Sequence, residues 1–215
     1  MYIQNRKFHN LQILKSALFE PFYGFPVINP LSYDTDRIDD SFSLIGFNQV
    51  KRNIPEHSIL HFYLDDYQFE RMWNFPSRYL NYCKSFDYVI TPDFSVYVNI
   101  PRSLQIFNHY RNNALAWYLQ YNGVNIIPCV QWGDCLSYDY SFAGLPRHSV
   151  ISISSQGWLK SDFSTMMFIR GFDECIKRLA PQKIVFYGNF LPELYDLTDA
   201  DFVFYKPFIR SRFAS

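Results

Sequence analysis

Residues 88–101 read YVITPDFSVYVNIP, and the grammar of this stretch decides the fold. A short apolar run, Tyr88-Val89-Ile90, ends in Thr91-Pro92-Asp93. Proline has no N–H for a central ladder, so the strand stops there and Asp93 falls just past its carboxyl end. The same order of a buried-looking run, a polar residue and then a connecting segment recurs at Leu64-Asp65-Asp66, Gln131-Trp132-Gly133-Asp134, Ser155-Gln156-Gly157, Tyr187-Gly188-Asn189 and Tyr205-Lys206-Pro207. In α/β folds that edge of the sheet is where ligands bind.

Working outward, the spacing of apolar residues predicts a short amphipathic helix over 4–19, then a break at Pro21, Gly24, Pro26 and Pro30. Strands are expected near residues 25, 43, 60, 88, 125, 150, 184 and 203. Helical segments are expected over 67–86, interrupted at Pro76, over 104–121, stopped by Asn122-Gly123, and over 163–179, closed by Pro181. Phe107, Leu115 and Tyr118, with Leu104, form the apolar face of the second of these. The strand near 125 contains Pro128, which predicts a bend or bulge. Runs that are apolar on both faces and alternate with helices predict a parallel sheet with crossover helices. The count suits a compact or degenerate (β/α) barrel, with an open three-layer α/β sheet as the alternative.

The totals bound the class. A chain of 215 residues with 48% apolar and 19% charged residues is globular and fits a single domain over 1–215, with an N-terminal extension over 1–20 and a tail over 206–215. Formal net charge is zero, so bulk charge gives no argument for nucleic acid or an anionic membrane. Twenty-two Phe and 17 Tyr supply either core packing or exposed rings that stack on bases or sugars. Cys83, Cys129, Cys135 and Cys175 form no CxxC pair, which excludes zinc-ribbon and thioredoxin motifs. No apolar run of about 18 residues and no secretory h-region occur, so a cytoplasmic protein with reduced thiols and no membrane partner is expected.

Taken in order, the phrases LDDYQFERMWNFPSRYL, FDYVITPDFSVY, QIFNHYRNNALAWYLQYNGVNIIPCVQWGD, SFAGLPRHSVISISSQG and KIVFYGN resemble a family of bacterial, plasmid and phage proteins catalogued as domain of unknown function 4417. The resemblance spans roughly residues 20–208. It implies a bacterial or mobile-element setting and brings no activity with it.

Chemistry is sought at the strand ends. Asp65, Asp66, Asp93 and Asp134 follow three different strands, and parallel strands would bring them to one rim as candidate catalytic residues. Converging carboxylates split into a general acid and base, or hold a divalent cation through Asp66, Asp93 and Asp134. Each also suits a simple structural role: Asp66 or Asp93 as a helix cap, Asp134 as the anchor of a loop. Trp132 is a candidate stacking surface or a core ring. Gln156, Asn189 and Lys206 would position a small-molecule or nucleotide-like ligand. His109 and Arg111 read as surface or packing residues, and His61 as a residue facing the core or an adjoining layer. The acidic run of Asp34, Asp36, Asp39 and Asp40 lacks EF-hand spacing and reads as a solvated loop. No dinucleotide, P-loop, zinc-protease or nucleophile-elbow word occurs. The expectation is a hydrolase or transferase on a phosphorylated, nucleotide or sugar-like substrate. The alternative is a non-catalytic mobile-element protein that binds a host or phage macromolecule.

Overall fold

The computed structural model describes residues 9–31, 37–49 and 53–206. Asp34, Asp36 and the tail beyond Lys206 lie outside them. Among the described residues seven strands follow one another: β1 Ser43–Gly46, β2 Ser58–His61, β3 Tyr88–Ile90, β4 Ile126–Ile127, β5 Val150–Ser154, β6 Lys183–Tyr187 and β7 Asp201–Tyr205. Every pairing between them is parallel. They form two ladders in sequence order, β1-β2-β3-β4 and β5-β6-β7. Pro128 breaks the ladder after only two residues of β4, because it has no N–H to give. One parallel bridge beyond it, Cys129 with Ser152, joins the two ladders.

Helices α1 Asp66–Asn74, α2 Pro76–Cys83, α3 Arg102–Tyr121, α4 Tyr138–Ser141 and α5 Asp162–Leu179 lie between strands. Pro76 separates α1 from α2 and occupies the first turn of α2, where its missing N–H costs nothing. Ser161 and Ser164 close a reciprocal cap at the start of α5. Gly123, at φ 81°, ends the turn after α3 in the left-handed region that glycine enters freely.

Strand periodicity of two sorts the core. Leu60, Phe62, Val89 and Ile126 pack with residues of α1, α2 and α3 such as Phe69, Met72 and Leu115. Ile151, Ile153, Ile184 and Phe186 pack with Phe168, Phe172 and Cys175 of α5. The alternate residues, including Ile59, Tyr63, Tyr88, Ile90, Ile127, Val150, Val185 and Tyr187, meet in a third cluster that, among the described residues, draws none from α1–α5, with Leu44 and Tyr205 at its edge. Helices therefore cover one face of each ladder, and the opposite faces of all seven strands turn toward one another. This differs from a three-layer sheet, in which helices cover both faces. The hydrogen-bonded ring is not closed, since β1 and β7 do not pair among the described residues. Across that seam Tyr205 Oη donates to the carbonyl of Asp39 at 3.2 Å and Lys183 Nζ to that of Ile38 at 3.0 Å.

Three expectations change. Residues 25–28 form no sheet strand, only an antiparallel bridge of Pro26 with Phe19, because prolines at 21, 26 and 30 interrupt the ladder. The expected helix over 4–19 is reduced, among described residues, to a single 3-10 turn, Leu11–Leu14. On α3, Leu115 is fully buried and Phe107 and Tyr118 pack against the core, but Leu104 is half exposed.

Candidate functional site at the strand ends

Asp93 follows β3 on a segment that other elements hold in place. Thr91 N–H donates to the carbonyl of Ile127, and Thr91 Oγ1 accepts from Cys129 N–H at 2.9 Å. Asn112 of α3 grips Phe94 from both sides: its Oδ1 accepts from Phe94 N–H at 2.8 Å and its Nδ2 donates to Phe94 O at 3.0 Å. Gln131 Nε2 donates to the same carbonyl at 2.7 Å, and Asn108 Nδ2 to that of Ser95 at 2.7 Å. The Arg111 guanidinium lies 3.4 Å from the centre of the Phe94 ring and pairs with Glu70. His109 is buried too, its Nε2 3.1 Å from the carbonyl of Ala143. Both residues thus have the packing role expected of them, and α3 uses its polar face to fix the loop that carries Asp93.

Asn112→Ala leaves the buried Phe94 N–H without a partner. The expected cost is about 2 kcal/mol, read from urea unfolding. Equal stability of the two proteins would mean that Asn112 does not hold the loop.

Around Asp93, β5, β6 and the segments just past β2 and β4 supply polar groups. The Cys129 thiol donates to Asp93 Oδ1 at 3.3 Å. Tyr63 Oη lies 3.8 Å from Cys129 Sγ and 2.6 Å from Ser152 Oγ, which in turn donates to the carbonyl of Val185 at 2.8 Å. Because Ser152 spends its proton on Val185, Tyr63 must be the donor to Ser152. The Tyr63 and Tyr187 rings stack at 4.8 Å, with the His61 ring 5.2 Å from that of Tyr187.

Burial dominates the electrostatics here. It raises the Asp93 carboxyl to about 7, the Cys129 hydrogen bond opposing the rise and the nearby charge of Asp66 adding to it. Burial also pushes up the Cys129 thiol and the Tyr63 phenol, so both are neutral donors at neutral pH. The same cause lowers His61 to about 4 and keeps it neutral.

Asp66 is the second carboxylate of this centre. It opens α1 and accepts from Ser95 Oγ at 2.8 Å and from Ser95 N–H, tying the end of β2 to the Asp93 loop. Burial raises its carboxyl as well, against the Ser95 hydrogen bonds and Arg111. Asp65 occupies the N-cap of α1 with its side chain 3.4 Å from Gln68 Nε2.

The other expected site residues are elsewhere. Asp134 caps the 3-10 turn Cys135–Ser137 by accepting from Leu136 N–H at 3.0 Å. Trp132 does not line a cleft. It is buried in the α5 cluster against Phe142 and Phe168, since its place on the chain puts it on the outer face of the wrap. Asp66, Asp93 and Asp134 are not gathered as a ligand set, and among the described residues no three His, Cys, Asp or Glu side chains are placed to hold a metal ion together. Gln156 and Asn189 do converge, on a small cavity at the ends of β5 and β6, and Lys206 is outside its lining.

Cys129, Tyr63, Ser152 and Tyr187 form the buried surroundings of Asp93, and strand-end reasoning passes over them. The available signal is parity: in ILHFYL and VISIS, polar or phenolic side chains stand two residues apart within apolar runs, and so share a face.

No helix of the described residues is long and apolar enough to cross a membrane. No solved structure matches the chain. The Gene 1 protein of Mycobacterium phage L5 is 37% identical over 145 residues, 64% of this chain and 63% of that protein, so the match spans less than two thirds of the relative's own length. The Gene 1 protein of Mycobacterium phage D29 is 29% identical over 194 residues, 86% of this chain and 68% of that protein. The family model described as Domain of unknown function (DUF4417) matches residues 20–206, nearly all of what the structure describes, and the chain belongs to that family.

Proposed function

We propose that the protein is an acid–base enzyme, a hydrolase or transferase acting on a phosphorylated, nucleotide or sugar-like substrate. Asp93 is its general acid or base and Asp66 the companion carboxylate. The observation that carries this reading is the Asp93 carboxyl itself. Burial holds it at about 7, where it gives and takes a proton at neutral pH, and it sits at the carboxyl ends of parallel strands on a loop fixed by Asn112, Gln131 and Arg111. The neutral thiol of Cys129 orients the carboxyl and leaves its second oxygen for substrate. Gln156 and Asn189 bind substrate, whereas Asp134 and Trp132 serve the structure and Lys206 lies outside the cavity.

A second reading, a non-catalytic phage protein that binds a host or phage macromolecule, draws on Leu18 and Phe22. They are 76% and 90% exposed on the N-terminal segment.

Turnover separates the two. A panel of nucleotides and sugar phosphates is incubated with the protein and followed by phosphorus NMR. Asp93→Asn is expected to lower kcat by about 10²–10⁴-fold. The wild-type rate should change with pH about an apparent value near 7. Turnover undiminished in Asp93→Asn, or none across the panel, leaves the binding reading in front.

A further inference from the structure

After β5 the chain runs through Ser155, Gln156, Gly157, Leu159 and Lys160 before α5 begins, and after β6 it turns through Gly188 and Asn189. Together these residues line a cavity of about 160 Å³. The two turns are built to lie close. Gly188 sits at φ 126°, and a Cβ there would stand 2.3 Å from Ser155 Oγ, so only glycine fits. Ser155 Oγ donates to the carbonyl of Asn189 at 2.8 Å, and Ser154 Oγ accepts from Gln156 N–H at 3.1 Å.

The lining includes one residue with an ammonium head, Lys160, and two with amide heads, Gln156 and Asn189, and no carboxylate. Among the described residues, no other protein group engages those three heads. The reciprocal cap of Ser161 and Ser164 already occupies the start of α5, so recognition falls to these side chains. A larger cavity, of about 390 Å³, lies at the opposite ends of the strands. There Asp39, Asp40 and Asp201 surround Lys183, whose ammonium is already bonded to Ile38.

We infer that the β5–β6 cavity is an anion subsite that takes the phosphoryl group of a small phosphorylated substrate, with Lys160 as its charge and Gln156 and Asn189 as its hydrogen-bond donors. This rests on the acid–base reading of Asp93 for what happens next. All strands are parallel, so the cavity and Asp93 share one end of the array, the anion at β5–β6 and the reacting bond toward β3. A nucleic-acid backbone would need a track of cations, whereas this lining has one, in a chain of zero net charge.

The test is a titration of the full chain with inorganic phosphate, followed by amide NMR. Saturable shifts are expected at Gly157, Lys160, Gly188 and Asn189. Lys160→Ala should weaken the affinity by about tenfold, the worth of one charge-assisted hydrogen bond. Lys177→Ala, which removes a lysine paired with Asp173 on α5, should bind as wild type does and shows that bulk charge is not the cause. Asp93→Asn should also bind phosphate normally, so loss of its turnover and loss of phosphate binding are separate outcomes. Absence of saturable binding, or equal affinity in Lys160→Ala, overturns the subsite whatever Asp93 does. A short single-stranded oligonucleotide that binds through Lys160 more tightly than phosphate overturns the assignment to a small molecule.

Discussion

Asp93→Asn is expected to stabilise the protein by roughly 2–4 kcal/mol at pH 8 and to change little at pH 4. The sign follows from the direction of the shift. The folded carboxyl titrates at about 7 against an ordinary value of 3.8, so between those values the native state holds a proton that the unfolded chain has released. Its contribution to stability is complete below about pH 4, falls as pH rises and is gone above 7, where folding must bury an anion. Asparagine has no such proton, and its carbonyl still accepts from the Cys129 thiol. The charged groups that bear on Asp93 are Asp66 and, through Asp66, Arg111. Cys129 and Tyr63 stay neutral over this range. Two histidines work the other way. Burial lowers both His61 and His109 to about 4, so the unfolded chain takes up their protons first as pH falls below 6.5, and they destabilise the fold on the acid side. In wild type the Asp93 and histidine effects partly cancel between pH 4 and 6.5. In Asp93→Asn the acid-side rise should be steeper. Urea unfolding at pH 4, 6 and 8 measures both. A constant difference between the two proteins across this range would show that Asp93 titrates normally, and its acid–base role would go with it.

The strands were legible in the sequence wherever a run is apolar on both faces. Those near 60, 88, 150 and 184 are strands of the parallel array, and Pro128 does interrupt the one near 125. Pro76 and Gly123 mark helix ends for reasons that need no tertiary context. What the pattern does not carry is curvature. Two ladders joined by a single bridge turn their helix-free faces together, and only then do Tyr63, Cys129 and Ser152 meet from three strands. Asp93 was legible because proline fixes the strand end beside it. Its partner was not, since Cys129 lies beyond Pro128, where the regular ladder has stopped. Trp132 shows the converse: the same strand-end grammar that singles out Asp93 also singles out an indole that faces the helices. Position along a strand selects candidates, and the parity of the face decides among them.

That parity gives the indole a neighbour that tolerates no enlargement. Gly171 lies within α5, and a Cβ built on it would stand 2.0 Å from Trp132 Nε1 and 2.2 Å from Cδ1. An ordinary contact is about 3.5–4.0 Å, so the indole or the helix must move. Neither has room, for Trp132 is 3% exposed and Phe168 and Phe142 pack on its other sides. Gly171→Ala normally favours a helix interior by about 1 kcal/mol. Here the overlap should reverse that sign and cost about 3 kcal/mol or more. The tryptophan is itself imperfectly placed, its buried Nε1 having no hydrogen-bond partner among the described residues. Trp132→Phe removes that orphaned donor and leaves a smaller ring that can shift away from Gly171, so it should cost less than loss of a large ring normally does. In the Trp132→Phe background Gly171→Ala should then become much milder, with a coupling of about 1 kcal/mol or more in the double-mutant cycle. Additive effects of the two substitutions would mean that the close approach of helix and indole is not what sets this packing. Trp132 would then have to be reconsidered as a residue of the strand-end site.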